Sequence, residues 1–68
     1  MPANWKRTAS QRIARMSPQQ AAVALESIRT RGCTIEHPEV REITGGYSSQ
    51  SIAFEVLRGL HARAKAGG

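Results

Sequence analysis

The sequence has little cysteine and no long apolar run, two features that would indicate where a protein is located. Cys33 is the single cysteine, so an internal disulfide is excluded, and nothing indicates an oxidising compartment. No apolar run approaches the roughly 20 residues of a membrane-spanning helix. The N-terminus also lacks the apolar stretch of a signal peptide. We therefore expect a cytoplasmic protein without a membrane partner.

Side chains that carry catalysis or bind metals are equally scarce. His37, His61 and Cys33 are the only histidines and cysteine. Cys33 and His37 have i,i+4 spacing, but Pro38 argues against a helix there, and two ligands fall short of a four-coordinate zinc site. A Cys–His nucleophilic pair would also need an orienting group and a pocket. We predict no catalytic residue, metal, cofactor or small-molecule substrate, and we interpret Cys33 as a small buried hydrophobe.

Acidic residues are few and lie in the middle of the chain. Ten lysines and arginines against five acids give a net charge of +5. Residues 1–15 and 56–68 carry only basic charges, whereas residues 16–55 are mildly acidic. Basic ends suit contact with phosphate groups. The alternative is that they simply keep a small protein soluble.

The N-terminal half shows one weak and one strong helix signal. We interpret residues 1–16 as a basic arm, irregular over residues 1–7, that includes a short helix capped by Thr8. The second signal is clearer, since Ser17 is a good N-cap, Pro18 suits the first helical position and Gln20 completes a capping box. Apolar residues at helical spacing then predict a helix over residues 18–31.

The C-terminal half predicts a short helix, a glycine turn and a longer helix. Pro38 begins a helix over residues 38–44, which the pair Gly45 and Gly46 ends. Ser48 or Ser49 then caps a helix over residues 49–64. Its inner face is Ala53, Val56, Leu57, Leu60 and Ala64. A short helix, a turn containing glycine and a second helix with a polar start are typical of a helix-turn-helix.

These elements predict an all-α fold, a small domain of three to four helices with the helix-turn-helix in residues 17–66. A chain of 68 residues has a small core. A homodimer that buries leftover apolar surface is therefore an alternative to a monomer.

The segment from Val40 to Ile52 resembles the DNA-binding domain of KfrA-type plasmid proteins and, more loosely, the helix-turn-helix of SOS repressors such as LexA. The resemblance covers about residues 20–62. Its matches are Gly32, Thr34, Val40, Arg41, Gly45, Gly46, Ser48, Ser51, Ile52, Leu57 and Leu60. Tyr47 departs from the small residue usual in the turn, and the sequence contains no β-hairpin wing, so we expect a wing that is absent or vestigial. The resemblance implies a plasmid, phage or bacterial transcriptional regulator, such as a repressor.

The resulting hypothesis is sequence-specific binding of double-stranded DNA, with helix 49–64 in the major groove. The predicted DNA-binding residues are Lys6, Arg7, Arg12, Arg41, Tyr47, Ser48, Ser49, Gln50, Ser51 and Arg58. Glu55 would repel phosphate unless it pairs with Arg58 at i,i+3, which we expect. Two alternatives stay open. One is a protein-interaction module, such as a small phage or plasmid inhibitor of a host protein, and the other is RNA binding through the basic arm.

Overall fold

The computed structural model describes residues 4–31 and 37–66. Four helices account for most of them: α1 (Trp5–Arg15), α2 (Pro18–Arg31), α3 (Pro38–Thr44) and α4 (Gln50–Ala66). No strand occurs within these two segments. The all-α prediction is confirmed.

Helices α2, α3 and α4 begin and end close to where local signals predict. The Ser17 hydroxyl accepts from the Gln20 N–H at 3.1 Å, and the Gln20 side chain accepts from the Ser17 N–H at 2.9 Å, so the capping box forms. Pro38 is the first residue of α3. Helix α4 begins at Gln50 and continues to Ala66, two residues past its predicted end.

The predicted start of the first helix is wrong. Helix α1 begins at Trp5, so residues 5–7 of the expected arm are helical and Thr8 lies inside the helix. The Thr8 N–H donates to the Asn4 carbonyl at 3.0 Å, an ordinary helical bond. Its methyl group points toward the turn after α3, where a Cβ placed on Gly45 would lie 3.6 Å away. Tertiary contact therefore overrides the capping preference of threonine.

The core lies where all four helices meet. Its buried members are Ala9, Ile13, Ala21, Ile28, Val40, Ile43, Ala53, Val56 and Leu60. Leu57 and Ala64 complete the predicted inner face of α4 as partly buried residues. Trp5 is partly buried. The predictions made for residues 1–3, Gly32, Cys33 and Thr34 lie outside the described residues.

Helix α1 contacts both the turn before α4 and α4 itself. Thr8 lies against Gly45 just before α4, and Ile13 lies against Gly59, where an added Cβ would be 3.0 Å from the Ile13 Cδ1. At the far ends, the Arg63 Nε donates to the Met16 carbonyl at 2.8 Å. A side-chain hydrogen bond therefore joins α1 and α4 near their C-terminal ends.

Candidate nucleic-acid interface

The turn between α3 and α4 is fixed by its own backbone and one buried hydroxyl. Gly45 takes the left-handed conformation, with φ of 86°, and its N–H donates to the Arg41 carbonyl at 2.9 Å. The Thr44 hydroxyl donates to the Tyr47 carbonyl at 2.5 Å and accepts from the Tyr47 N–H at 3.0 Å. The chain therefore leaves α3 in a defined direction.

The four polar residues predicted to contact DNA around the start of α4, residues 48–51, divide into two pairs. The Ser49 hydroxyl accepts from the Ile52 N–H at 3.2 Å and caps α4. The Ser48 hydroxyl accepts from the His37 N–H at 3.2 Å, which joins the turn to the start of α3. Both serines are partly buried, whereas Gln50 and Ser51 are exposed. Of these four residues, Gln50 and Ser51 are therefore the more accessible pair.

Helix α4 presents a continuous solvent-facing side. We call it the outer face of α4, and it consists of Gln50, Ser51, Phe54, Glu55, Arg58, His61, Ala62 and Lys65, all exposed. It lies opposite the buried side of the helix formed by Ala53, Val56 and Leu60. The rest of the fold therefore supports α4 from behind and leaves this face accessible.

Charge on the outer face is partly neutralised within the helix. Arg58 Nη1 lies 3.9 Å from Glu55 Oε2, so the predicted i,i+3 pair is confirmed. The Arg58 side chain is 81% exposed. An ion pair this exposed is worth little, and a phosphate can therefore compete for the guanidinium. Lys65 adds a second basic side chain to this face.

Phe54, His61 and Lys65 lie on this face but were missing from the predicted site. Each is exposed. A helical wheel places Phe54 between Gln50 and Arg58, and His61 and Lys65 one and two turns after Arg58, because residues three, four, seven or eight apart share a helix face. That signal was present in the sequence. Phe54 stands out, since an aromatic side chain with 53% exposure is not packed in the core.

The basic residues of α1 take different positions. Lys6 and Arg7 are exposed in the first turn of α1, with the Lys6 Nζ 5.8 Å from the Trp5 ring centroid. Arg12 donates to the Glu42 carbonyl and so links α1 to α3. Arg12 therefore has a structural bond besides its predicted contact with DNA.

The first turns of α1 and α4 are both electropositive. They contain no acidic residue. Helix N-termini carry partial positive charge from their N–H groups. Lys6 and Arg7 add full charges in the first turn of α1. Anions are therefore attracted to each of these two helix ends.

The two remaining predicted site residues lie on α3 and in the turn. Arg41 is an exposed residue of α3. The Tyr47 side chain is 47% exposed, while its backbone is held by Thr44. The side chain of Tyr47 is thus accessible at the start of the segment that leads into α4.

A second polar cluster joins α2 to α3. The Ser27 hydroxyl donates to Glu39 Oε2 at 2.5 Å, and Glu39 Oε1 lies 3.6 Å from Arg31 Nε and 3.5 Å from the Nδ1 of the fully buried His37. The hydrogen bond from Ser27, aided by one from the backbone and by Arg31, lowers the pKa of Glu39 below its usual 4.5. Partial burial acts in the opposite direction and is outweighed. We call Ser27, Arg31, His37 and Glu39 the α2–α3 cluster.

Within the described segments, no group of three or more His, Cys, Asp or Glu side chains is placed to hold a metal ion. None of the four helices is both long enough and apolar enough to cross a membrane.

Comparison with protein-family models, curated proteins and solved structures found no match for this chain. The likeness to KfrA-type and LexA-type domains therefore stays a prediction from residues 20–62.

Proposed function

We propose that this protein binds double-stranded DNA through α4, with its outer face in the major groove. The observation that supports this most is the exposed polar and basic outer face of α4, supported from behind by the other helices. It begins at a helix N-terminus whose first turn contains no acidic residue. An α-helix of this kind fits a groove about 12 Å wide.

The proposal divides the contacts by chemistry. Gln50 and Ser51, at the start of α4, contact base edges. Arg58 and Lys65 on α4, with Lys6 and Arg7 on α1, contact phosphates. Backbone contacts position a protein on DNA, and base contacts give it sequence preference. Tyr47, Ser48 and Ser49 hold the turn and offer a further phosphate contact at the N-terminus of α4, and Arg12 and Arg41 flank it.

We base the biological role on the resemblance of the sequence to KfrA-type and LexA-type domains. In this proposal the protein is a small transcriptional regulator of plasmid, phage or bacterial type that acts in the cytoplasm as a homodimer. The proposal assigns it no catalytic activity. A dimer on DNA predicts a palindromic site with half-sites about one helical turn apart.

The test is a salt titration of binding to random duplex DNA, followed by selection of preferred sequences from the bound pool. Each phosphate contact contributes about −0.9 to the slope of log K against log salt. Arg58→Gln should therefore make the slope less steep by about one unit. Salt-insensitive binding, or none at low salt, would contradict the proposal.

Glu55→Gln is the matched control, because it breaks the same ion pair without removing the positive charge. It should tighten binding to all duplexes, since it removes a negative charge that faces phosphate. If Glu55→Gln and Arg58→Gln weakened binding equally, loss of the pair would explain both, and the phosphate contact of Arg58 would be refuted.

A protein-interaction role is the second candidate, and one observation favours it. Val23 is 66% exposed on α2. It borders two shallow grooves whose linings also include Ser27, with Glu39 in one and Arg31 in the other. This surface is not part of the outer face of α4. Val23→Arg would abolish binding to a protein partner here and leave duplex binding intact.

A further inference from the structure

Phe54 has no role in the phosphate contacts proposed above, although it is 53% exposed at the centre of the outer face of α4. Its exposed neighbours on the outer face are mostly polar or charged, including the acidic Glu55. Gln50 lies one turn before it, and Arg58 and His61 lie one and two turns after it. Phe54 is therefore a single large apolar group surrounded by hydrogen-bonding and charged groups.

The edges of base pairs in the major groove have a matching composition. They present hydrogen-bond donors and acceptors, and the only apolar group among them is the C5-methyl of thymine. A phenyl ring on a helix in this groove gains by contacting that methyl, whereas contact with an amino or carbonyl group would desolvate a polar atom without a hydrogen bond.

We propose that Phe54 is a specificity-determining residue that packs on a thymine methyl, so the preferred sites contain an A·T pair beneath the first turn and a half of α4. This inference rests on the proposed function. A protein partner would instead be expected to meet Phe54 within a wider apolar patch, and on α4 its exposed neighbours are polar or charged apart from Ala62.

Gln50 adds a second preference for an A·T pair. It lies four residues before Phe54, so their Cβ atoms are about 5–6 Å apart on the helix surface. Successive base pairs are about 3.4 Å apart. Glutamine pairs with the N6 and N7 atoms of adenine. The two side chains therefore select adenine and thymine at positions one or two base pairs apart.

The experiment uses the full chain and duplexes selected from a random pool at low salt. The best duplex is synthesised again with deoxyuridine in place of thymidine, one position at a time. This removes a single methyl group and leaves base pairing intact. For the unmodified protein, deoxyuridine at one position should weaken binding about four-fold, which corresponds to about 0.8 kcal/mol for the burial of one methyl group.

Phe54→Ala should weaken binding to the thymidine duplex and should not distinguish it from the deoxyuridine duplex. Phe54→Leu keeps an apolar side chain and should retain part of the discrimination. The matched control is Val23→Ala, which shortens an exposed apolar side chain on α2. It should keep both the affinity and the four-fold discrimination. Circular dichroism confirms that each variant is folded.

Two results would overturn the inference while leaving the proposed function intact: salt-dependent duplex binding without any sensitivity to deoxyuridine, or unchanged sensitivity in Phe54→Ala. Unchanged duplex affinity in Phe54→Ala would also overturn it and would leave Phe54 to a protein partner. Absence of duplex binding at low salt would refute the proposed function and this inference together.

Discussion

Residues 44–49 and the outer face of α4 are adjacent in sequence, and both contain hydroxyl or amide groups, but they use them differently. In the turn, the hydroxyls of Thr44, Ser48 and Ser49 all bond to backbone groups of the protein. On the outer face, Gln50 and Ser51 are exposed. The same kinds of side chain therefore stabilise the turn in one region and face solvent in the other. Their position relative to the first residue of α4 decides which of the two they do.

This contrast assigns different consequences to similar substitutions. Changes in the turn should lower the free energy of unfolding. Changes on the outer face should leave stability nearly unchanged and alter binding. The predictions below test that division, beginning with the largest expected change in stability.

Thr44→Val should have the largest effect. Valine has nearly the same shape as threonine but no hydroxyl, so the N–H and carbonyl of Tyr47 both lose their hydrogen-bond partner. The Thr44 side chain is fully buried, so water cannot easily replace the hydroxyl. We expect a loss of about 2 kcal/mol. Chemical denaturation measures it. Stability equal to that of the unmodified protein would show that the turn does not depend on this hydroxyl.

Ser49→Ala and Ser51→Ala form a matched pair two residues apart. Ser49→Ala removes the N-cap of α4 and should cost about 1 kcal/mol. Ser51→Ala removes an exposed hydroxyl from the first turn and should change stability by less than about 0.5 kcal/mol. The same unfolding experiment compares them. Equal losses would contradict the division between turn and outer face.

Ser27→Ala should destabilise the protein by about 1 kcal/mol at neutral pH, and by less in acid. Because the folded-state pKa of Glu39 is lowered, the stability it provides is present above pH 4.5 and is lost as the pH falls through the folded value. Thermal unfolding of the variant and the unmodified protein should therefore converge below pH 4.5. A difference that is constant with pH would contradict the role of Ser27.

Arg58→Gln should have the smallest effect on stability. The ion pair with Glu55 is long and exposed, and pairs of this kind contribute about 0.3–0.5 kcal/mol. Thermal unfolding should barely change, although the salt dependence of DNA binding changes. A loss above about 1 kcal/mol would mean that Arg58 belongs to the scaffold.

Local signals explain why much of the fold was predictable. Ser17 with Gln20 sets the start of α2, and Gly45 sets the end of α3, through bonds to residues within four positions. Pro38 begins α3 by its fixed backbone angle. The inner face of α4 follows from helical spacing. Such signals depend only on neighbouring residues in the chain.

Tertiary contacts explain what was missed. Nothing near Thr8 in the sequence shows that it lies against Gly45, so a capping role was predicted where a packed helical residue occurs. The bond from His37 to Ser48 likewise joins residues 11 positions apart. The bond from Arg63 to the Met16 carbonyl, which joins α4 to the residue after α1, also has no local signal in the sequence. By contrast, Phe54 could have been included from the helical wheel alone.

The most direct test of the DNA-binding surface is an NMR titration of the ¹⁵N-labelled protein with its selected duplex. The account predicts that the largest amide shifts occur at Gln50, Ser51, Phe54 and Arg58, with smaller ones at Lys6 and Arg7. Shifts confined to α2 around Val23, with the outer face of α4 unaffected, would contradict it.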